Sequence, residues 1–463
     1  MCIKEKRGRT GPSIAMLCLA CGFSVYLPST FALAQEAGDA EAVPALEPSI
    51  APDSSEAESL VGQMPEPEAT SELNGPLTHQ GASVAELESD SVAREALMKD
   101  VFAYQDRIQE IERTQGAFAA GLTEQLLGMG LVLQRNGAHQ AAIRTFKRGV
   151  HLARVNEGLY STRQMALLEG EIASHVALGE FSKADERQRY LFRVQAETLS
   201  DATRGQALMQ HALWQRQAYE QGVGEEPFAR LLRMWSLYRV ALSEYAQVEG
   251  ESSTRLLPPL YGMLQSQYLV SGFVGEMSDG RFRTRGLFQD EEAQQLAYRN
   301  QSFKQGSSVI GAIYDIETAQ PGASWEQAAE TSLMLADWQL WHKKRSDALE
   351  TYATLYRELE ASEAAQVWRK RVFDTPAPLP QITGVRALPD SIEEQAGALL
   401  LEFSVTERGR VVDLERLDSY ASNDKKASEI VRRIKQTLFR PRFSDGMPVR
   451  TEGLRWAYDT AEW

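Results

Sequence analysis

Two stretches of this chain carry the same helix–turn–helix pattern 42 residues apart, and that repetition restricts the fold more than any other feature. In LLGMGLVLQRNGAHQAAIRTFKRGV, residues 126–150, Leu126, Gly130 and Leu133 mark one helix face, Gly137 marks a turn, and Ala142, Phe146 and Gly149 mark a second helix. In LEGEIASHVALGEFSKADERQRYL, residues 168–191, Gly179 and Ala184 fall 42 residues after Gly137 and Ala142. Small residues at Gly130, Ala142 and Gly149 let two helices approach closely, and Phe146 fills the space between them. A unit of this size cannot bury its own apolar face, so neighbours must stack on it.

The pattern resembles the tetratricopeptide repeat, here with helices longer than the usual period of about 34 residues allows. A third unit is expected at residues 333–359, where Ala336, Ala348, Tyr352 and Leu355 take the small and bulky positions. Helical periodicity runs from about residue 91, with Leu97, Val101, Tyr104, Ile108 and Ile111 on one stripe, to residue 373. Residues 204–272 offer further helices around Trp214, Trp235, Tyr238 and Tyr245, with no clear repeat register. The resemblance implies a curved α-solenoid that holds partner proteins; a spacer without a specific ligand is the alternative. Residues 278–293 read as a polar loop whose Arg281, Arg283 and Arg285 either face solvent or meet an acidic partner.

Ahead of the helices, residues 1–34 read as a signal peptide: a basic start (Lys4, Lys6, Arg7, Arg9), an apolar run from Ile14 to Leu27, and Ala32-Leu33-Ala34 before Gln35. Retention of this segment as a membrane anchor is the alternative, and membrane contact is expected only in that case. Cys2, Cys18 and Cys21 all lie here, so the processed chain has no disulfide, thiolate metal site or cysteine nucleophile. An exported chain without cysteine fits the periplasm of a Gram-negative bacterium. Residues 35–90 form an acidic Pro/Ala/Glu-rich linker. From Gln35 to Val92 there are thirteen Asp and Glu and no Lys or Arg, too little apolar content for a core, so this region is expected to be disordered. A net charge of −15 argues against nucleic acid as a partner.

Beyond a second, Pro-rich linker at residues 374–382, the period changes. Leu399, Leu401, Phe403 and Val405 alternate with polar residues, Gly409 makes a turn, and Val411, Leu414 and Leu417 return. Asn423 or Asp424 then caps an amphipathic helix with Ala427, Ile430, Val431, Ile434 and Leu438 on its stripe. LFRPRFSDGMPVR, residues 438–450, ends it: Phe439 completes the apolar face, Pro441 stops the helix, Phe443 packs back, and Asp445-Gly446 turns into a last strand with Leu454, Trp456 and Tyr458. Residues 383–463 are thus a small α+β domain in strand–strand–helix–strand order, and the whole chain is mainly α.

That order, with Gly409, Phe439, Pro441, Gly446, Pro448 and Val449, resembles the C-terminal domain of TonB-family energy transducers; a generic small α+β domain is the alternative. The resemblance implies binding of an extended segment of an outer-membrane transporter at a sheet edge. The last strand, Gly453, Leu454, Arg455, Trp456, Ala457 and Tyr458, is the candidate edge. Full transducers carry an N-terminal anchor holding a His; this N-terminal segment has none. The leading expectation is a non-enzymatic periplasmic interaction scaffold with protein partners, ahead of a membrane-anchored transducer and of an envelope enzyme with a site in 204–320. No catalytic residue, cofactor or metal site is expected. The six histidines, His79, His139, His151, His175, His211 and His342, are dispersed; only His151 and His175 are placed to approach across neighbouring helices.

Overall fold

The computed structural model describes residues 84–224, 226–273, 288–360, 363–394, 398–418 and 424–459. The signal segment, nearly all of the acidic linker, Arg281, Arg283, Arg285 and Asn423 lie outside them. Helices α1 (Val84–Gln115), α2 (Leu122–Arg135), α3 (His139–Glu157), α4 (Arg163–Ala177), α5 (Phe181–Thr198), α6 (Asp201–Glu220), α7 (Pro227–Glu249), α8 (Leu257–Gly272), α9 (Phe288–Thr318), α10 (Trp325–Trp341), α11 (Arg345–Glu358) and α12 (Glu363–Phe373) make a TPR-like helical solenoid. From α2 to α11 each helix packs on the next, and α4 also touches α2, the first helix of the preceding pair.

The helix pairs are made by one turn. At Gly137 the backbone is left-handed (φ 74°), its N–H donates to the Gln134 carbonyl (3.0 Å), and the Ala138 N–H reaches back to Leu133 (2.9 Å). This pair of hydrogen bonds satisfies carbonyls that the helix end leaves open. It recurs at Gly179 (φ 70°) and at Lys343 (φ 61°). It also recurs at Gly222 (φ 64°), 43 residues after Gly179, so α6 and α7 continue the repeat where the sequence shows no register. Lys343 precedes Ala348 by the same five residues that separate Gly137 from Ala142. A side chain in left-handed backbone costs roughly 1–2 kcal/mol, against a smaller entropic cost for glycine. Lys343→Gly is therefore expected to stabilise the chain by about 0.5–1 kcal/mol. Denaturant titration checks this, and a lowered midpoint would contradict the turn assignment.

Packing follows from glycine–aromatic pairs. The fully buried Phe146 ring sits between Gly130 on α2 and Gly170 on α4, where an added Cβ would overlap the ring from either side. Tyr238 against Gly262 and Trp338 against Gly306 repeat the arrangement further along. Gly149, expected to serve contact within its own pair, instead faces Leu167 of the next. Ala142, Ala184, Ala336, Ala348 and Tyr352 are fully buried.

The C-terminal module holds β4 (Leu399–Val405), β5 (Val411–Arg416), α13 (Asp424–Gln436) and β9 (Thr451–Tyr458), with antiparallel strands in the order β5-β4-β9. Leu399, Leu401, Phe403 and Val405 bury one sheet face against Ala427, Ile430 and Ile434 of α13. Gly409 (φ 71°) lies so close to Phe439 that a Cβ would overlap the Phe439 carbonyl oxygen; the Phe439 N–H donates to the Gly409 carbonyl (2.9 Å).

Three expectations change here. Residues 374–382 are packed rather than a free linker. Strand β1 (Ala377–Pro378) pairs with β6 (Phe439–Arg440), Leu379 is fully buried, and β2 (Gln381–Ile382) forms a hairpin with β3 (Val385–Arg386) on the solenoid. Proline content reports where a helix stops, not what the extended chain then covers. Pro441 does not end α13, which stops at Gln436; the Thr437 N–H donates to the Arg433 carbonyl. Leu438 and Phe443 pack against the solenoid core rather than the α13 stripe. Asp445 (φ 52°) and Gly446 (φ 75°) form the two-residue turn between β7 (Arg442–Ser444) and β8 (Met447–Val449), where Pro448 stands opposite Phe443.

Candidate protein-interaction surfaces

Three places have the geometry to recognise another chain, and each is partly filled by this one. The first is the solenoid face built from the first helices of successive pairs. Its α6–α8 part holds the β2–β3 hairpin: Ile382 and Val385 pack into the central core, and Gln265 Nε2 donates to the Thr383 carbonyl (2.5 Å). Gly384 (φ 82°) passes so close to Arg216 that a Cβ would overlap the guanidinium. The chain's own extended segment thus sits where a solenoid of this kind offers room for a peptide.

The second place is β9. Leu454, Arg455, Trp456, Ala457 and Tyr458 stand opposite Phe403, Glu402, Leu401, Leu400 and Leu399 of β4. Trp456 lies edge-on to Phe403 (5.3 Å) and tilted on Phe439 (5.6 Å), and Tyr458 is buried; these aromatics pack into the module core. Arg455 is exposed and donates to Glu402 (2.7 Å). The outer rim is closed at Ala457: its N–H donates to Ser391 Oγ (3.1 Å) and its carbonyl accepts from Ile392 (2.9 Å). By the period of two, the outward backbone groups left without a partner among the described residues belong to Gly453 and Arg455. Gly453 (φ 67°) sits where the register shifts opposite Phe403–Val405, a bulge that shortens the regular rim.

The third place is the opposite rim, on β5, beside the basic side of α13. The sequence gives no hint that β4 lies in the middle and leaves two outer strands, because strand order is a tertiary fact.

The region considered for a catalytic site contains a buried polar cluster. Arg230 grips Asp185 with two nitrogens (2.9 and 3.1 Å), Trp214 donates to the same carboxylate (2.8 Å), and Arg230 also donates to Gln215 (3.2 Å) and the Val223 carbonyl (2.8 Å). Burial alone raises the Asp185 carboxyl, but hydrogen bonds from Arg230 and Trp214 outweigh it and hold it below its ordinary range. These groups are closed on one another across α5, α6 and α7 and nearly inaccessible to solvent, which is the geometry of a structural rivet. His175 is buried against Glu180 (2.6 Å) and Glu171 (3.7 Å), while His151 is exposed; the two do not meet. Among the described residues no group of three or more His, Cys, Asp or Glu is arranged to hold a metal ion, and no helix is long and apolar enough to cross a membrane.

His211 adjoins this cluster, stacked on Phe192 (4.2 Å) and only 3% exposed. Burial, reinforced by Arg233, pushes it down to about 4 from 6.5. The unfolded chain therefore takes up a proton near pH 6.5 that the folded chain refuses until about pH 4. Stability from this group is complete above pH 6.5 and falls as pH drops through that window, by about 3 kcal/mol in all. His211→Phe is expected to flatten the acid limb of a stability–pH curve between 6.5 and 4. Superimposable slopes for the two proteins would refute the burial argument.

No protein-family model and no characterised protein matches the sequence. Among solved structures, BtubC (BKLC) from P. vanneervenii is 12% identical over 65% of this chain and 99% of its own, at a TM-score of 0.33. A Podospora anserina putative kinesin light chain with nearly identical TPR-like repeats is 13% identical over 54% of this chain and 96% of its own, also at 0.33. The likenesses are loose, and the repeat architecture stands on the turns and contacts of this chain.

Proposed function

We propose that this chain is a non-enzymatic protein–protein interaction scaffold, exported to the periplasm, whose C-terminal module takes up an extended strand of an outer-membrane transport component. The observation that carries the reading is the open outer rim of β9 at Gly453 and Arg455, on a module anchored to a helical repeat. Backbone groups without partners at a sheet edge gain hydrogen bonds from any extended segment that fits, and neighbouring side chains select which. The short rim implies weak main-chain pairing, so affinity has to come from contacts beside it. The TonB-like motif residues support the reading through their roles: Gly409 and Phe439 touch, and Gly446 makes the β7–β8 turn.

The reading is tested by placing a photo-crosslinking residue at Arg455, and separately at Glu407 in the exposed β4–β5 turn, in full-length protein in its native host. Adducts with an outer-membrane protein from position 455 and none from 407 are the expected result. No adduct, or the same adducts from both positions, would remove the proposal. N-terminal sequencing of the cellular protein separates an exported chain beginning at Gln35 from a membrane-anchored transducer.

A further inference from the structure

We propose that the outer rim of β5 and the adjoining basic stripe of α13 form a second docking surface, for an extended peptide segment with carboxylates at alternate positions. It is separate from the β9 rim and does not depend on it. Strand β5 pairs with β4 on one side only. On the other side its entry is closed at Arg410 by a bridge to Leu438, and beyond that no strand pairs with it among the described residues. The Leu417 N–H donates inward to the Leu400 carbonyl, so by alternation the backbone groups of Leu414 and Arg416 face outward. Asp413 (φ 50°) sits where the register shifts, in a bulge that ends the regular rim there. Main-chain pairing is thus short, and the remaining contact has to come from α13.

An open cleft runs between Arg416 and α13, with Ala427 and Val431 at its floor and Ser428, Arg432 and Lys435 along its wall. The sequence of α13, DKKASEIVRRIKQ, has five basic residues against two acidic ones. Arg416 is already held by Asp418 (2.7 Å), but Arg432 and Lys435 form no ion pair among the described residues. On the opposite side of the rim Glu415 is exposed, while Asp413 is paired with Arg450 (2.6 Å). Arg416 stands opposite Leu401, so its side chain shares the α13 face, whereas Glu415 stands opposite Glu402 on the other. A strand added to this rim therefore meets positive charge on the α13 side with every second side chain and Glu415 on the other side. The complementary occupant carries Asp or Glu toward α13 and neutral or basic residues between them.

The test uses the full chain and a terminally blocked eight-residue peptide alternating Glu and Thr, read by fluorescence anisotropy and by cross-linking with mass spectrometry. Binding is expected, with cross-links to Leu414–Arg416 and to α13. Arg432→Glu with Lys435→Glu is expected to weaken it at least about tenfold, and Arg455→Glu less than about twofold. The same peptide N-methylated at alternate residues, unable to extend the sheet, is also expected to lose at least about tenfold. The proposal is overturned if the peptide does not bind, if the N-methylated form binds as well (charge adsorption without pairing), if the α13 double variant binds unchanged, or if cross-links map to β9. Arg432 and Lys435 are exposed, and an unchanged circular dichroism spectrum certifies folding of the variant.

Discussion

Gly409→Ala is expected to unfold the C-terminal module while the helical repeat stays folded. Gly409 has φ 71°, and its missing Cβ leaves room for the Phe439 backbone, whose N–H donates to the Gly409 carbonyl. Alanine there incurs roughly 1–2 kcal/mol for left-handed backbone. It also places a methyl against a carbonyl oxygen that no side-chain rotation can move aside. Phe439 is fully buried and in ring contact with Phe403 and Trp456, so a shift of its backbone propagates into the module core. The combined loss is expected to exceed about 3 kcal/mol, at the severe end for a single substitution. Near-ultraviolet dichroism and limited proteolysis of the full chain read it out: loss of protection around β4, β5 and β9, with helical far-ultraviolet signal retained. A variant with unchanged protection would show that the Gly409–Phe439 approach is not as tight as described.

Arg440→Ala is expected to be the most damaging change at the junction of module and solenoid. Arg440 reaches Asp337 of α10 (3.3 Å), and the Tyr352 hydroxyl donates to the same carboxylate (2.6 Å). All three residues are buried. Burial pushes the Asp337 carboxyl up, opposed by Arg440 and by the hydrogen bond from Tyr352. Removing only the cation leaves a buried carboxylate without its counter-charge, a loss of about 3–5 kcal/mol. Removing both charges, as in Asp337→Leu with Arg440→Met, is expected to recover much of it, since an apolar pair of similar size needs no desolvation. A double-mutant cycle in denaturant measures the coupling, and additive single effects would mean that the pair is not linked. The release of residues 377–386 from α6 and α8 should accompany the single change and appear as new protease cleavage there.

These two sites explain why LFRPRFSDGMPVR has the form it does. Phe439 enters the module core, Arg440 and Phe443 enter the solenoid, and the Asp445-Gly446 turn folds β8 back on β7. Phe443 meets Phe373 (5.2 Å), Tyr352 (5.4 Å) and Tyr356 (6.4 Å), so the stretch joins two cores rather than closing one helix. Its residue types were readable as turn and strand entry, while the helix end expected at Pro441 falls before the stretch, at Gln436. Its double allegiance was not, because a buried arginine declares its partner only when a residue 103 positions earlier is brought beside it.

The candidate surfaces divide the same way. The edge strand was legible from the alternation of Leu454, Trp456 and Tyr458, but those side chains turned out to fill the module core, and the outward groups belong to the residues between them. The cluster around Asp185 and Arg230 left no trace in local pattern, since its members lie on three helices.

The sequence by itself determined the local conformations: helix pairs closed at Gly137 and Gly179, a hairpin at Gly409, and an amphipathic helix before a final strand. Each depends on φ preference and apolar period, which act within a few residues. Only the tertiary structure decided that α6 and α7 continue the repeat, that the Pro-rich segment lies on the solenoid, and that the sheet has two rims. Those outcomes rest on contacts between residues far apart in the chain, where burial and charge pairing choose among arrangements that local preference leaves equal.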